Sequence, residues 1–506
     1  MRAISIWVQG FCEALIRMTF PLLVLFCLLI FPAYKGLWIG YVPLLLGAVA
    51  GVWVSRFHVS LIRAVDSWSR WLTAFWLYLL PACVQVVLIL VIRPEPATDG
   101  YFVFQHAELL ARTGVMDPMT YYPPAQTWWY AGWFLLFGPS TLVAQLSHVP
   151  LSIGVVWTTK HLGQTVLRSP GPACIAAMLV AWYPSFLAYV LTTPYYHYLY
   201  TLLTLLMVWA LVVGVRGLDA GGGFPWPGRQ GSLAGQAGFR GSLRTNPWLW
   251  LLLAGMAAGL GALTKAVQLI APVQVVTWLM VLGLIRAGWA TGTKFSWIRL
   301  GAGFLIFVLG LGATLAPWMV RNARVFDAVV PVCTSGGLVL YSANNPDSNG
   351  LYSGMPDTVD LETPQEMLAY SHWCSSQAKM FIREYPLQYL NLAWRKFLHT
   401  WGSEATFAEL INWRGAYHAN LENGFSFLFL AGWAGVVILW TRRSWGAWRA
   451  RAPLGPFELL AGILILSNAF VYVVFEGGDR HHLPWVPLLV LLAVDRGDFF
   501  RVAPAK

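Results

Sequence analysis

The chain has 506 residues, of which 58% are hydrophobic and only 11% charged, and its mean hydropathy is +0.59. No water-soluble domain has that balance, and apolar runs recur at the roughly 18–20 residues needed to cross a ~30 Å hydrocarbon core, so the expected fold class is an all-α polytopic membrane protein. The net charge of +11 is spread over short connections between apolar runs and makes no basic face, which excludes a nucleic-acid partner.

The runs predict about twelve transmembrane helices, near 18–34, 38–54, 72–92, 141–160, 171–189, 197–214, 247–263, 267–286, 298–317, 422–440, 456–475 and 482–495. The first run is followed at once by a second with no small-residue site between them, so no cleavable signal is read. Arg2 and Arg17, then Arg56, Arg63 and Arg70, Lys160 and Arg168, Arg216, Arg229, Arg240 and Arg244, Arg286, Lys294 and Arg299, and Arg442, Arg443, Arg449 and Arg451 all fall on one side when counted from an inside N-terminus. That is the cytoplasmic side, and both termini belong to it. The expected setting is a bacterial inner (plasma) membrane.

Four regions follow: N-terminal helices over 1–70, a transmembrane core over 71–319, an insert over 320–421 and C-terminal helices over 422–506. Within the core, residues 93–140 form the first outer loop. There "TDGYFVFQHAELLARTG" places Asp99 at the head of an amphipathic helix. "YYPPAQTWWYAGWFLLFGPS" is short, rich in Trp and Tyr and broken by Gly138 and Pro139, which predicts a helix lying along the outer surface. The Gly-rich stretch 215–246 reads as a cytoplasmic linker. The insert is turn-rich at "SANNPDSNGLYSGMPDT" and helical afterwards. It holds Cys333 and Cys374, which can pair if this side is oxidising; two cysteines alone do not decide it.

On this topology the polar residues of interest share the outer side: Asp99, Tyr101, Glu108, Asp117 and Tyr122 in the first outer loop, His197 after "TTPYY", Lys265 at a helix end, Arg321 and Arg324 after "APWMV", Lys396, and Arg480, His481 and His482 in "EGGDRHHLP". Charges at a membrane boundary are costly unless paired or used. Cations around an apolar cavity suit a lipid-linked phosphate, and a nearby carboxylate can take a proton from an attacking hydroxyl. Each residue also has a structural reading. Asp99 can stabilise its helix start, Glu108 can sit on a solvated face, Asp117 can order a loop and Lys265 can snorkel. Adjacent His481 and His482 point different ways and lack further ligand spacing, so no metal site is assigned. Tyr122 is open to either an interfacial or a sugar-facing role.

Eight motifs in order carry a resemblance: "TDGYFVFQHAELLARTG", "YYPPAQTWWYAGWFLLFGPS", "AWYPSFLAYVLTTPYYHYLYTLL", "GLGALTKAVQLIAPV", "APWMVRNARVFDAVVPV", "SANNPDSNGLY", "FIREYPLQYLNLAWRKFLHTW" and "DRHHLPWVPLLVLL". From about residue 70 onward the chain resembles the GT-C superfamily of membrane glycosyltransferases, most of all the bacterial branch related to protein O-mannosyltransferases and the lipid A aminoarabinose transferase. The resemblance implies an inverting transferase that moves a hexose or pentose from a polyprenyl-phosphate donor, on the extracytoplasmic face, to an acceptor hydroxyl or phosphate of a glycolipid, polysaccharide or protein. Asp99 would be the catalytic base, and Lys265, Arg321 and Arg480 would bind the donor phosphate. Tyr101, Glu108, Tyr122, His197, Lys396, His481 and His482 are candidate substrate contacts. No cofactor is expected, and a divalent metal stays an open alternative. Gly100 stands where protein mannosyltransferases carry a second acid, and "TTPYYHY" lacks the glutamate of many bacterial relatives. The rival class is a transporter or flippase of a lipid-linked or anionic substrate, for which two related halves with polar residues at the midplane are expected; no internal repeat is found.

Overall fold

A computed structural model describes residues 2–34, 41–92, 99–119, 121–167, 170–191, 196–218, 246–289, 296–351, 361–402, 404, 418–451 and 454–494. Residues 219–245 of the Gly-rich linker, most of "TTPYY" and the final "DRGDFFRVAPAK" lie outside the described residues, while 215–218 belong to the helix His197–Leu218. Among the described residues every regular element is helical and none is a strand, as lipid demands of a chain that must satisfy each backbone group within its own segment.

In chain order the helices are α1 (Arg2–Glu13), α2 (Phe20–Tyr34), α3 (Tyr41–Asp66), α4 (Arg70–Ala74), α5 (Leu80–Ile92), α6 (Asp99–Thr113), α7 (Ala125–Phe137), α8 (Thr141–Leu146), α9 (His148–Val166), α10 (Pro170–Ala181), α11 (Pro184–Ala188), α12 (His197–Leu218), α13 (Pro247–Thr264), α14 (Ala271–Trp289), α15 (Trp297–Phe326), α16 (Gly336–Ser342), α17 (Pro364–Glu384), α18 (Pro386–Gly402), α19 (His418–Arg449), α20 (Pro456–Val474) and α21 (Val486–Val494). Among the described residues eight helices are long and apolar enough to cross a membrane, or nine if the bent pair Pro170–Ala181 and Pro184–Leu191 is one span. The expected count of about twelve is not reached on this criterion. Tyr41–Val54 is a shorter apolar run, and α21, with nine residues, is only about 14 Å long at 1.5 Å per residue.

The first span starts earlier than expected. It runs from Ile4 to Phe31, so Arg17, expected among the loop cations, falls near the middle of a helix. Only 3% of Arg17 is exposed; its Nε and Nη2 donate to Glu458 Oε1 and Oε2 at 2.6 and 2.5 Å. A buried guanidinium needs such a fork of acceptors. The N-terminal helices otherwise act as packing elements. A Cβ on Gly47 of α3 would meet the Ala431 carbonyl of α19 at 2.2 Å, and one on Gly51 would meet that of Gly435 at 2.8 Å, the close crossing that small residues permit. From the same N-terminal span, Phe20 puts its ring edge-on to Trp401 and Trp440.

Residues 99–137 form the predicted helical pair. α6 and α7 pack on each other around a small core of their own: Val103, Ala107, Tyr130, Ala131 and Phe134, with Ala144 of α8. α15 runs past residue 320 to Phe326 and ends on the left-handed Asp327 (φ 50°). The helical part of the insert breaks at Tyr385–Pro386 into α17 and α18. Leu398 and Trp401 of α18 join the main core, so the end of the insert belongs to the bundle. Cys333 and Cys374 are both free.

Candidate active site

The connection from α20 to α21 carries "EGGDRHHLP" as two 3-10 turns, Asp479–His481 and Leu483–Trp485. Arg480 Nη2 donates to Glu476 Oε1 at 2.8 Å. The His481 ring stacks on Tyr472, 4.1 Å between centroids and 3° from parallel. Lys265 reaches this loop from the junction of α13 and α14. There Lys265 is extended (φ −149°, ψ 115°), which ends α13 and leads into a 3-10 turn, Ala266–Ile270, before α14. Its ammonium donates to the Tyr196 hydroxyl at 2.6 Å and to His481 Nδ1 at 3.2 Å, and stands 4.2 and 5.1 Å from the ring centroids of Tyr196 and Tyr472. An ammonium has no lone pair, so His481 Nδ1 accepts and its proton sits on Nε2. Burial first, then Lys265, Arg480 and neighbouring histidines, hold His481 well below the usual histidine range, which keeps the ring neutral. Among the described residues His481 Nε2 is buried without a hydrogen-bond partner.

Asp99 takes the first position of α6. It is exposed, and its Oδ1 accepts from the Tyr122 hydroxyl at 2.9 Å. The "YYPP" elbow thus returns to the helix start. Asp99, Arg480 and Glu476 all exert a charge effect on the Tyr196 hydroxyl, whose proton burial holds above all. Tyr196 thus feels the charges of both Asp99 and Arg480. The His197 ring lies against Tyr196 and Tyr189, each 4.7 Å away, 1% exposed.

The other expected residues have the following contacts. Arg321 donates to the Asp117 carbonyl at 2.7 Å and to Asn322 Oδ1 at 3.0 Å, over the Trp318 ring, where it ties the loop after α6 to α15. Asp117 orders that loop, accepting from Met119 N at 2.8 Å and facing His106 at 3.3 Å. Glu108 pairs with Arg112 at 2.6 Å on the helix surface, and Tyr101 is exposed against Phe102. Lys396 is completely buried and bonded within the protein. His482 is sandwiched between the rings of Trp433 and Trp401; its Nδ1 bonds the Thr400 carbonyl at 2.6 Å and its Nε2 faces Glu404 at 3.3 Å. Glu404 also accepts from Tyr183 at 2.7 Å through each oxygen, and burial raises its pKa. Among the described residues no three His, Cys, Asp or Glu are grouped as metal ligands.

Sequence reasoning passed over Tyr196, Tyr472, Glu476 and Glu404. Glu476 stands four residues before Arg480, the spacing of an intrahelical pair, and Tyr196 adjoins His197, so both had a local signal. Nothing local marks Glu404.

No protein-family model matches the sequence, and no curated protein matches it. Solved structures do. The Archaeoglobus fulgidus oligosaccharyltransferase tethered to an acceptor peptide containing the NVT sequon has 12% identity and a TM-score of 0.46, over 84% of this chain and 49% of that one. ArnT from Cupriavidus metallidurans bound to undecaprenyl phosphate has 12% identity and a TM-score of 0.36, over 82% and 75%. Both are GT-C glycosyltransferases, the superfamily that the ordered motifs resemble. The present chain spans about half the length of the archaeal enzyme.

Proposed function

We propose that this protein transfers a sugar from a polyprenyl-phosphate donor to an acceptor hydroxyl or phosphate, with Asp99 as general base. One observation carries the reading: the close partners of the Lys265 ammonium are all neutral, a hydroxyl, an imidazole nitrogen and two aromatic faces, while a second cation and a carboxylate stand nearby. Among the described residues no carboxylate lies at ion-pair distance from Lys265. An anion that accepts from Lys265, Arg480 and His481 Nε2–H would complete this arrangement, and a phosphate ester does so with several oxygens.

The acceptor oxygen attacks the anomeric carbon as the carbon–oxygen bond to the donor phosphate breaks. Its proton passes to the Asp99 carboxylate, and polyprenyl phosphate departs with one more negative charge, which Lys265 and Arg480 stabilise as it develops. Attack opposite the leaving group inverts the anomeric centre. Tyr122 orients Asp99 by donating to it, and Arg321 acts through Asp117, holding the loop that leads to Tyr122. The lysine and arginine distribution supports an extracytoplasmic site in a bacterial inner membrane with both termini cytoplasmic. The acceptor is a glycolipid, polysaccharide or protein.

The test uses the purified protein in lipid nanodiscs with a panel of synthetic undecaprenyl-phosphate monosaccharides, mass spectrometry of envelope glycolipids and glycoproteins supplying the acceptor. Transfer by wild type and its loss in Lys265→Met are expected. Movement of the donor between leaflets with no transfer would refute the enzyme reading.

A further inference from the structure

We propose that Lys396 is a positioning residue: completely buried, it fixes the loop that carries Glu476, Arg480 and His481. The inference deepens the transfer reading and depends on it only where activity is concerned.

α20 ends at Val474, and the last carbonyls of a helix have no partner within it. Here α18 and the turn after α16 supply them. Lys396 Nζ donates to the Val474 carbonyl at 3.1 Å and to Asn344 Oδ1 at 2.6 Å. Asn344, also fully buried, donates from Nδ2 to Val474 O at 3.0 Å and Phe475 O at 3.4 Å. A cation at this end is also favoured by the helix dipole. The following residues are held from the same side. Gly477 N donates to Gly350 O at 3.1 Å, and a Cβ on Gly477 would stand 2.5 Å from Lys396 Cα, so the loop lies directly on α18. Gly478 N donates to Thr400 Oγ1 at 3.2 Å, and His482 donates to the Thr400 carbonyl at 2.6 Å.

Lys396 and Thr400, one turn apart on α18, thus grip the loop at 474 and at 478–482, and Arg480 and His481 lie between the grips. The insert thus helps to set where Arg480 stands. Removing the ammonium takes the donor from buried Asn344 Oδ1 and leaves the Val474 carbonyl with Asn344 Nδ2 alone, which favours release of the loop.

Amide hydrogen exchange on the purified protein in nanodiscs reads this without substrate. In Lys396→Met, exchange at Gly477, Gly478 and His481 should quicken roughly tenfold or more while α13 keeps wild-type protection, and affinity for undecaprenyl phosphate should fall by a similar factor. Thr400→Val, nearly isosteric, tests the second grip and should quicken Gly478 alone or with His481; Lys396→Gln, which removes the charge and shortens the reach to Val474 and Asn344, decides the matter if Lys396→Met does not fold. Unchanged exchange over 475–482 in the folded variants overturns the inference. Faster exchange in a protein whose wild type shows no undecaprenyl-phosphate binding upholds the positioning role and refutes the transfer reading instead.

Discussion

Asp99→Asn separates chemistry from folding. The side chain keeps its shape, and asparagine is as acceptable as aspartate near a helix start, so the local cost is a few tenths of a kcal/mol. The amide oxygen of the variant can still accept from Tyr122, now without charge assistance, a loss of about 1 kcal/mol at most for so exposed a pair. The chemical step loses its proton acceptor, worth roughly 10²–10⁴-fold, or about 3–5 kcal/mol in the barrier at ~1.4 kcal/mol per factor of ten. Single-turnover transfer from a lipid-linked monosaccharide should therefore slow at least a hundredfold, while the melting midpoint stays near wild type. Turnover within tenfold of wild type in a folded Asp99→Asn protein would falsify the general-base assignment. Tyr122→Phe refines the test: loss of one orienting hydrogen bond, about 0.5–1.5 kcal/mol, should cost roughly two- to tenfold.

Replacing Arg480 with alanine should raise the barrier by about 3 kcal/mol, the usual loss for one preorganised donor, and weaken undecaprenyl-phosphate binding; unchanged values in both measurements would remove it from the phosphate site. Burial pushes the Lys396 ammonium down to about 7, against the opposing pull of Glu476, whereas an unfolded lysine titrates near ~10.4. Between these values the unfolded chain binds the extra proton, so stability climbs with pH by up to about 1.4 kcal/mol per unit and flattens below about 7. The midpoint difference between wild type and Lys396→Met should grow from pH 7 to 10, and a pH-independent difference would contradict it. For the buried pair, Glu458→Gln should destabilise by about 3–5 kcal/mol and the double variant with Arg17→Met by less; additive losses in thermal unfolding would argue against coupling.

Taken alone, the sequence determined the class, the helical pairing over 99–137 and the position of Asp99 at a helix head. These follow from run length, periodicity and turn residues, all local properties that a bilayer makes binding because no other backbone arrangement is satisfied in lipid. It also brought Lys265, Arg480 and His481 to one side, through the alternation of loops. Tertiary structure decided the rest. Arg17 looks like a loop cation until Glu458, 441 residues away, meets it inside the bundle. Arg321 reads as a phosphate ligand and Lys396 as a substrate contact, and each is bonded to a backbone carbonyl brought by a distant segment. Glu404 has no sequence mark at all, because its burial depends on Tyr183 and His482 arriving from elsewhere. A charged side chain in a membrane protein needs a partner, and which partner it finds depends on how the helices pack, information that no window of neighbouring residues contains.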